Sequence, residues 1–145
     1  MREILFRGKR VDNGEWVEGF YIKATHHWHE HGIHEDWIAV DTIQNGGWCN
    51  VRDKYAVIPE TVGQFTGLYD KNGTKVFEGD IIAYEYKPKP YFDTFAIGHC
   101  TVEYIETLGV YSPFGDSGLA LEANEIEVVG NIHDNPDILG EDENA

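Results

Sequence analysis

Apolar runs in this chain are short, and a turn signal interrupts nearly every one. Asp12-Asn13-Gly14, Asn45-Gly46-Gly47 and Tyr69-Asp70-Lys71-Asn72-Gly73 carry residues that accept positive φ at little cost. Lys87-Pro88-Lys89-Pro90 cannot continue a central strand, because proline has no N–H to donate. Helical periodicity is scarce, so the segments between the turns read as β. Strands are predicted over 4–11, 15–23, 37–42, 55–58, 62–68, 81–86, 95–105, 119–123 and 125–132. In the second of these, Trp16, Glu18, Phe20 and Ile22 fall on one face and Val17, Gly19 and Tyr21 on the other, since strand side chains alternate. Residues 24–36 and 111–118 read as loops. Asn135-Pro136-Asp137-Ile138-Leu139-Gly140 reads as one short C-terminal helical turn, with proline at its start and glycine past its end. Roughly nine short strands spaced by turns predict a mainly β barrel or sandwich.

Charge and composition narrow the function classes. The 145 residues hold 11 basic and 26 acidic side chains, a formal net charge of −15, and the asymmetry is steep. Residues 1–89 carry 11 basic and 14 acidic groups, whereas 90–145 carry no basic group and 12 acidic ones. Affinity for nucleic acid comes largely from Lys and Arg displacing counterions, so direct nucleic-acid binding is disfavoured. An anionic membrane surface is disfavoured for the same reason. A hydrophobic fraction of 41% and an aromatic fraction of 13% argue for a folded domain. No apolar run reaches the length of a membrane span, and no signal-peptide pattern opens the chain. Two cysteines, Cys49 and Cys100, are too few for a disulfide framework, and the expected location is cytoplasmic.

Pro59-Glu60-Thr61-Val62-Gly63-Gln64-Phe65-Thr66-Gly67-Leu68-Tyr69-Asp70-Lys71-Asn72-Gly73, followed by Val76-Phe77-Glu78-Gly79-Asp80-Ile81-Ile82, resembles the central signature of the YopX family of phage and prophage proteins. Flanking blocks agree: Arg2 to Lys9 leading into Gly14 to Gly19, and Val128 to Leu139. The resemblance implies a mainly β fold with a small SH3-like barrel, which gives an N-terminal β lobe over 1–66 and the barrel over 67–139, or the two as a single compact unit; residues 140–145 read as a disordered acidic tail. It implies a mobile genetic element and hence a bacterial host cytoplasm. It carries no assigned reaction, so no catalytic or cofactor-binding residue follows from it. The signature is mostly Gly, Pro, Asn and apolar residues, which suits fold maintenance better than chemistry. Three stretches depart from the family pattern, at 26–34, 46–48 and 84–95.

Five of the seven histidines, His26, His27, His29, His31 and His34, fall within nine residues. In an extended segment His27, His29 and His31 share one face and can hold Zn²⁺ or another divalent ion, completed by a nearby carboxylate. Adventitious affinity is the commoner meaning of such a loop. The Cys100–His99 pair makes a poor dyad, because neighbours in a strand point to opposite faces. Carboxylates two apart, Glu78 with Asp80 and Glu125 with Glu127, can share protons but are more often solvated edges. Phosphate-loop, dinucleotide-fold and serine-hydrolase motifs are missing.

The reading that results is a non-enzymatic accessory protein acting through protein–protein contacts as a homo-oligomer. Trp48, Tyr91 and Phe92 are its candidate contact residues, and a host or phage protein is a candidate partner. No cofactor is expected. One alternative is a metal-dependent activity at the 26–34 loop. Another is an acidic nucleic-acid mimic that inhibits a host defence protein through Glu122, Glu125, Glu127 and Asp137. The metal alternative has a direct test. A functional site at His27, His29 and His31 retains about one equivalent of metal after purification without metal resin, and metal-free protein whose melting temperature ignores added zinc refutes it.

Overall fold

A computed structural model describes residues 3–23, 36–40, 42–44, 48–50, 54–86, 96–106, 110–113 and 125–139. Within them the chain is mainly β, in antiparallel sheets that do not close into a barrel. It divides into two compact units, Met1–Phe65 and Thr66–Ala145.

In the first unit β1 (Phe6–Lys9) and β2 (Trp16–Lys23) form a hairpin in the register Lys9↔Trp16 to Phe6↔Gly19. Its turn is closed by Gly14, at φ 72°, and by Arg10, whose guanidinium donates two hydrogen bonds to Asp12 at 2.7 and 3.0 Å. Next come β3 (Asp36–Ala39), β4 (Thr42–Gln44), β5 (Trp48–Asn50) and β6 (Lys54–Ala56). β3 pairs with β2 and β6, and β4 pairs with β5, all antiparallel. Pro59 ends this run in a single 3-10 turn, Pro59–Thr61. The core of the unit is Ile38, Val57 and Phe65. Glycine is required at Gly19, because a Cβ there would lie 2.2 Å from the carbonyl oxygen of Ala39.

The strand Gly63–Tyr69 (β7) begins in the first unit and continues into the second, where it turns into Lys75–Phe77 (β8) through Asp70-Lys71-Asn72-Gly73. Asp80–Tyr86 (β9) then lies between Ala96–Thr101 (β10) and Glu127–Asn131 (β13). Glu103–Ile105 (β11) pairs with Val110–Ser112 (β12). Val76, Ile82, Val102, Tyr111 and Ile126 form the buried core, with Tyr84, Cys100 and Val128 packed on it. Tyr84 lies across Gly98, its register partner, where a Cβ would come within 2.7 Å of the ring.

Two expectations are corrected here. The predicted strand 95–105 is broken at Val102. Its backbone is taken by the Gly79-Asp80 turn, with Gly79 donating to Val102 (2.8 Å) and Val102 donating to Asp80 (2.9 Å), which leaves Val102 fully buried. The predicted loop from 111 instead begins inside β12. Tyr111 is buried, and its ring lies 5.1 Å from that of Tyr104, its cross-strand partner. Composition rich in Ser, Pro and Gly misled there, because burial of one tyrosine outweighs local turn propensity. The predicted strand at 119–123 lies outside the described residues. The C-terminal helical turn is present over 137–139, preceded by Pro136.

The turn at Asp70 knits the second unit together. Its carboxylate accepts the backbone N–H groups of Asn72 (2.9 Å), Thr74 (2.8 Å) and, 58 residues away, Val128 (2.9 Å). Burial lifts this carboxyl, but the three donors outweigh burial and hold it below the usual carboxylate value. The folded protein therefore binds this proton less readily than the unfolded chain. The resulting stability is complete above the unfolded pKa of roughly 4 and is lost as pH falls through the lower folded value. Asp70→Ala is expected to cost about 3 kcal/mol in denaturant unfolding near neutral pH. Asp70→Asn should flatten the acid limb of the stability profile.

Candidate functional site

The outward face of the β10-β9-β13 sheet carries the groove that stands out in the second unit. Register places Ile97 opposite Glu85, and both His99 and Glu127 opposite Ala83, so these side chains share the face turned away from the core. A groove of about 480 Å³ runs over this face, lined by Lys71, Ala83, Tyr84, Glu85, Ile97, Glu125 and Glu127. Ile97 is 63% exposed, the highest value among the large apolar side chains described.

One wall is built by the Asp70 turn. The Lys71 N–H donates to the Ile126 carbonyl (3.0 Å), and the Lys71 ammonium lies 3.6 Å from Glu127. The Asn72 amide donates to the same Glu127 carboxylate at 3.4 Å. The side-chain carboxylates of Glu85 and Glu125, both exposed residues, make no hydrogen bond or ion pair with a described residue. The groove thus sets apolar Ala83 and Ile97 together with two carboxylates that make no ion pair with a described residue.

The candidate residues fall as follows. Glu125 and Glu127 come together in the groove, and Glu85 joins them from β9. Asp137 lies in the C-terminal helical turn, and Glu122 lies outside the described residues. Trp48 begins β5. Tyr91, Phe92, His27, His29 and His31 lie outside the described residues. Among the described residues, no group of three or more His, Cys, Asp or Glu side chains is arranged to hold a metal ion. Cys100 packs on the core while His99 takes the opposite face, as strand alternation requires. Sequence reading missed Ile97, Glu85 and Lys71, because their proximity depends on strand register, which no local signal carries.

The Glu78 and Asp80 pair separates into two roles. Asp80 is 1% exposed, and its carboxylate accepts the Phe77 N–H at 2.7 Å, capping the Gly79 turn. Glu78 is half-buried, and burial together with the charge of Glu103 lifts its carboxyl above the usual value. In the first unit the buried Asp36 accepts a hydrogen bond from the Tyr21 hydroxyl. Burial and that carboxylate raise the phenol to about 12, so it stays protonated and donating at neutral pH. This pair fastens β2 to β3 at the strand ends that flank the histidine-rich segment.

Turn-capped antiparallel sheets around two small cores, with a groove on an outer sheet face, define a mainly β protein whose distinctive side chains serve the backbone. The chain belongs to the YopX family: the family described as YopX protein matches residues 5–140. Among solved structures it is similar in fold to protein EF1440 from Enterococcus faecalis, with a TM-score of 0.50 and 22% identity over 96% of this chain and 99% of that one. No curated protein matches it at a significant level. Among the described residues, no helix is long and apolar enough to cross a membrane.

The raised carboxyl of Glu78 gives a signed expectation. The folded protein binds this proton more readily than the unfolded chain, so Glu78 favours folding in acid and opposes it once ionised. Glu78→Gln should raise the melting temperature at pH 7 and lose that advantage below roughly pH 4.

Proposed function

We propose that this protein is a phage or prophage accessory protein of the bacterial cytoplasm that works through protein–protein contacts and assembles as a homo-oligomer. The observation that carries this reading is the outer face of the β10-β9-β13 sheet, where a highly exposed Ile97 lines a groove together with carboxylates. Exposed apolar side chains within a polar rim are the usual anatomy of a contact surface. The signature residues of the family support it from the other side. Asp70, Gly79 and Asp80 are committed to backbone hydrogen bonds and turns.

The same reading takes the second unit as an SH3-like barrel. It is supported by the break at Val102, which turns one run of chain into two strands of different sheets around a shared core. Trp48, Tyr91 and Phe92 are further contact candidates in this proposal.

The contact reading is tested by affinity capture from host lysate together with light scattering, comparing wild type with Ile97→Asp. The substitution replaces an exposed side chain, so folding stability should change by no more than about 0.5 kcal/mol. The expected result is a stoichiometric protein, or a second copy, bound by wild type and lost in Ile97→Asp. Equal binding by both proteins overturns the reading of this face, as does a wild type that binds nothing and stays monomeric.

A further inference from the structure

The wall of the groove holds a reactive pair, Asn72-Gly73. Gly73 has φ 81° and nothing within 4 Å of where a Cβ would stand, so no side chain screens its nitrogen. In such a pair the glycine nitrogen attacks the side-chain carbonyl carbon of the asparagine. The new C–N bond closes a cyclic imide, and the amide nitrogen leaves as ammonia with the glycine proton. Water then opens the ring at either carbonyl, giving aspartate or isoaspartate. One water is consumed and one ammonia released, and nothing is oxidised or reduced. Asn13-Gly14 is the same pair at the tip of the β1–β2 hairpin, with Gly14 at φ 72° and equally open. Asn45-Gly46 lies outside the described residues.

Attack requires the glycine nitrogen to leave its hydrogen bond within the turn. Gly14 donates to the Arg10 carbonyl and Gly73 to the Asp70 carbonyl, each at 3.0 Å. What holds the rest of each turn differs. The first is tied by the Arg10–Asp12 pair, in which the Asp12 side chain is 64% exposed. Surface pairs of this kind contribute little. The second is tied by Asp70, a carboxylate only 6% exposed, which accepts the N–H groups of Asn72, Thr74 and, on β13, Val128. The Asn72 amide is held in addition by Glu127 at 3.4 Å. Opening this turn strips a buried carboxylate of charge-assisted hydrogen bonds, which cost more to lose than neutral ones. Local opening is therefore rarer at Gly73 than at Gly14.

We propose that Asn72 is a latent deamidation site on the groove wall, held unreactive by the hydrogen bonds of Asp70, while Asn13 reacts more readily. Conversion replaces the amide that donates to Glu127 with a carboxylate, so a hydrogen bond becomes a repulsion where Lys71 and Glu127 meet. Isoaspartate also lengthens the backbone inside the turn. This reactivity does not depend on the groove binding a partner.

The test follows both sites in one sample. The full chain is held in mildly alkaline buffer, natively and in urea. Aliquots are cut with a glutamate-specific protease in weak acid, which halts the reaction. Residues 4–15 then carry Asn13 and residues 61–78 carry Asn72 on separate peptides. Each conversion adds about 1 Da as NH2 becomes OH. In urea the two sites should convert at similar rates. In the native protein Asn72 should be slower than Asn13, and slower by roughly tenfold or more than in urea. Asp70→Ala, verified as folded by circular dichroism, should speed Asn72 by roughly tenfold and leave Asn13 at its wild-type rate. Asn72 converting as fast as Asn13 in native wild type overturns the proposal, as does a folded Asp70→Ala in which Asn72 stays slow. If Asp70→Ala misfolds, amide exchange of wild type decides the matter without a substitution. Gly73 should exchange as slowly as Val128, and a Gly73 that exchanges freely while Val128 is protected overturns the role of Asp70.

Discussion

A single buried carboxylate ties local turn chemistry to long-range order in the second unit. Asp70 accepts two N–H groups from its own turn and a third from Val128 on the closing strand. The first two bonds make the tight connection from β7 to β8. The third fixes where that connection lies against β13. Because the same carboxylate serves both, the β7–β8 turn also helps place β13. One wall of the groove follows directly, since Lys71 and Asn72, the next two residues, reach Glu127 from that position.

The Gly79-Asp80 turn does comparable work at the other end of β9. Its backbone pairs with Val102, its carboxylate caps Phe77, and the Gly79 carbonyl accepts from Ile132 at 2.9 Å. Two segments far apart in the chain, at Val102 and Ile132, therefore converge on these two residues. Buried polar groups must be satisfied, so such junctions are geometrically strict. Asp70, Gly79 and Asp80 are thereby committed to the backbone. This leaves the outer sheet faces free to carry charge and apolar exposure without disturbing the core.

The two outer faces divide the chemistry of the molecule. In the first unit, cations rest over tryptophan rings, and Phe20 and Ile22 are exposed on the strand that begins at Trp16. In the second, carboxylates surround exposed Ile97. Cation–aromatic contact holds long flexible side chains in place, which lowers the entropy lost when such a face is covered. The steep acidity of the C-terminal half is thereby given a location: part of it lines a defined groove.

The β class, the hairpin at Asp12-Asn13-Gly14, the turn at Asp70 to Gly73, the alternation along β2 and the C-terminal helical turn were all legible in the amino-acid sequence. Each rests on φ preferences, proline's missing donor or the two-residue period of a strand, which act over a few residues. The break at Val102, the burial of Tyr111 and the meeting of Glu85, Ile97 and Glu125 were not legible. Each depends on which strand pairs with which and in what register, and a one-residue slip would turn Ile97 toward the core. Local propensity therefore determined the elements. Which residues share a surface was decided only by tertiary pairing, through the buried carboxylates and turns that fix that register.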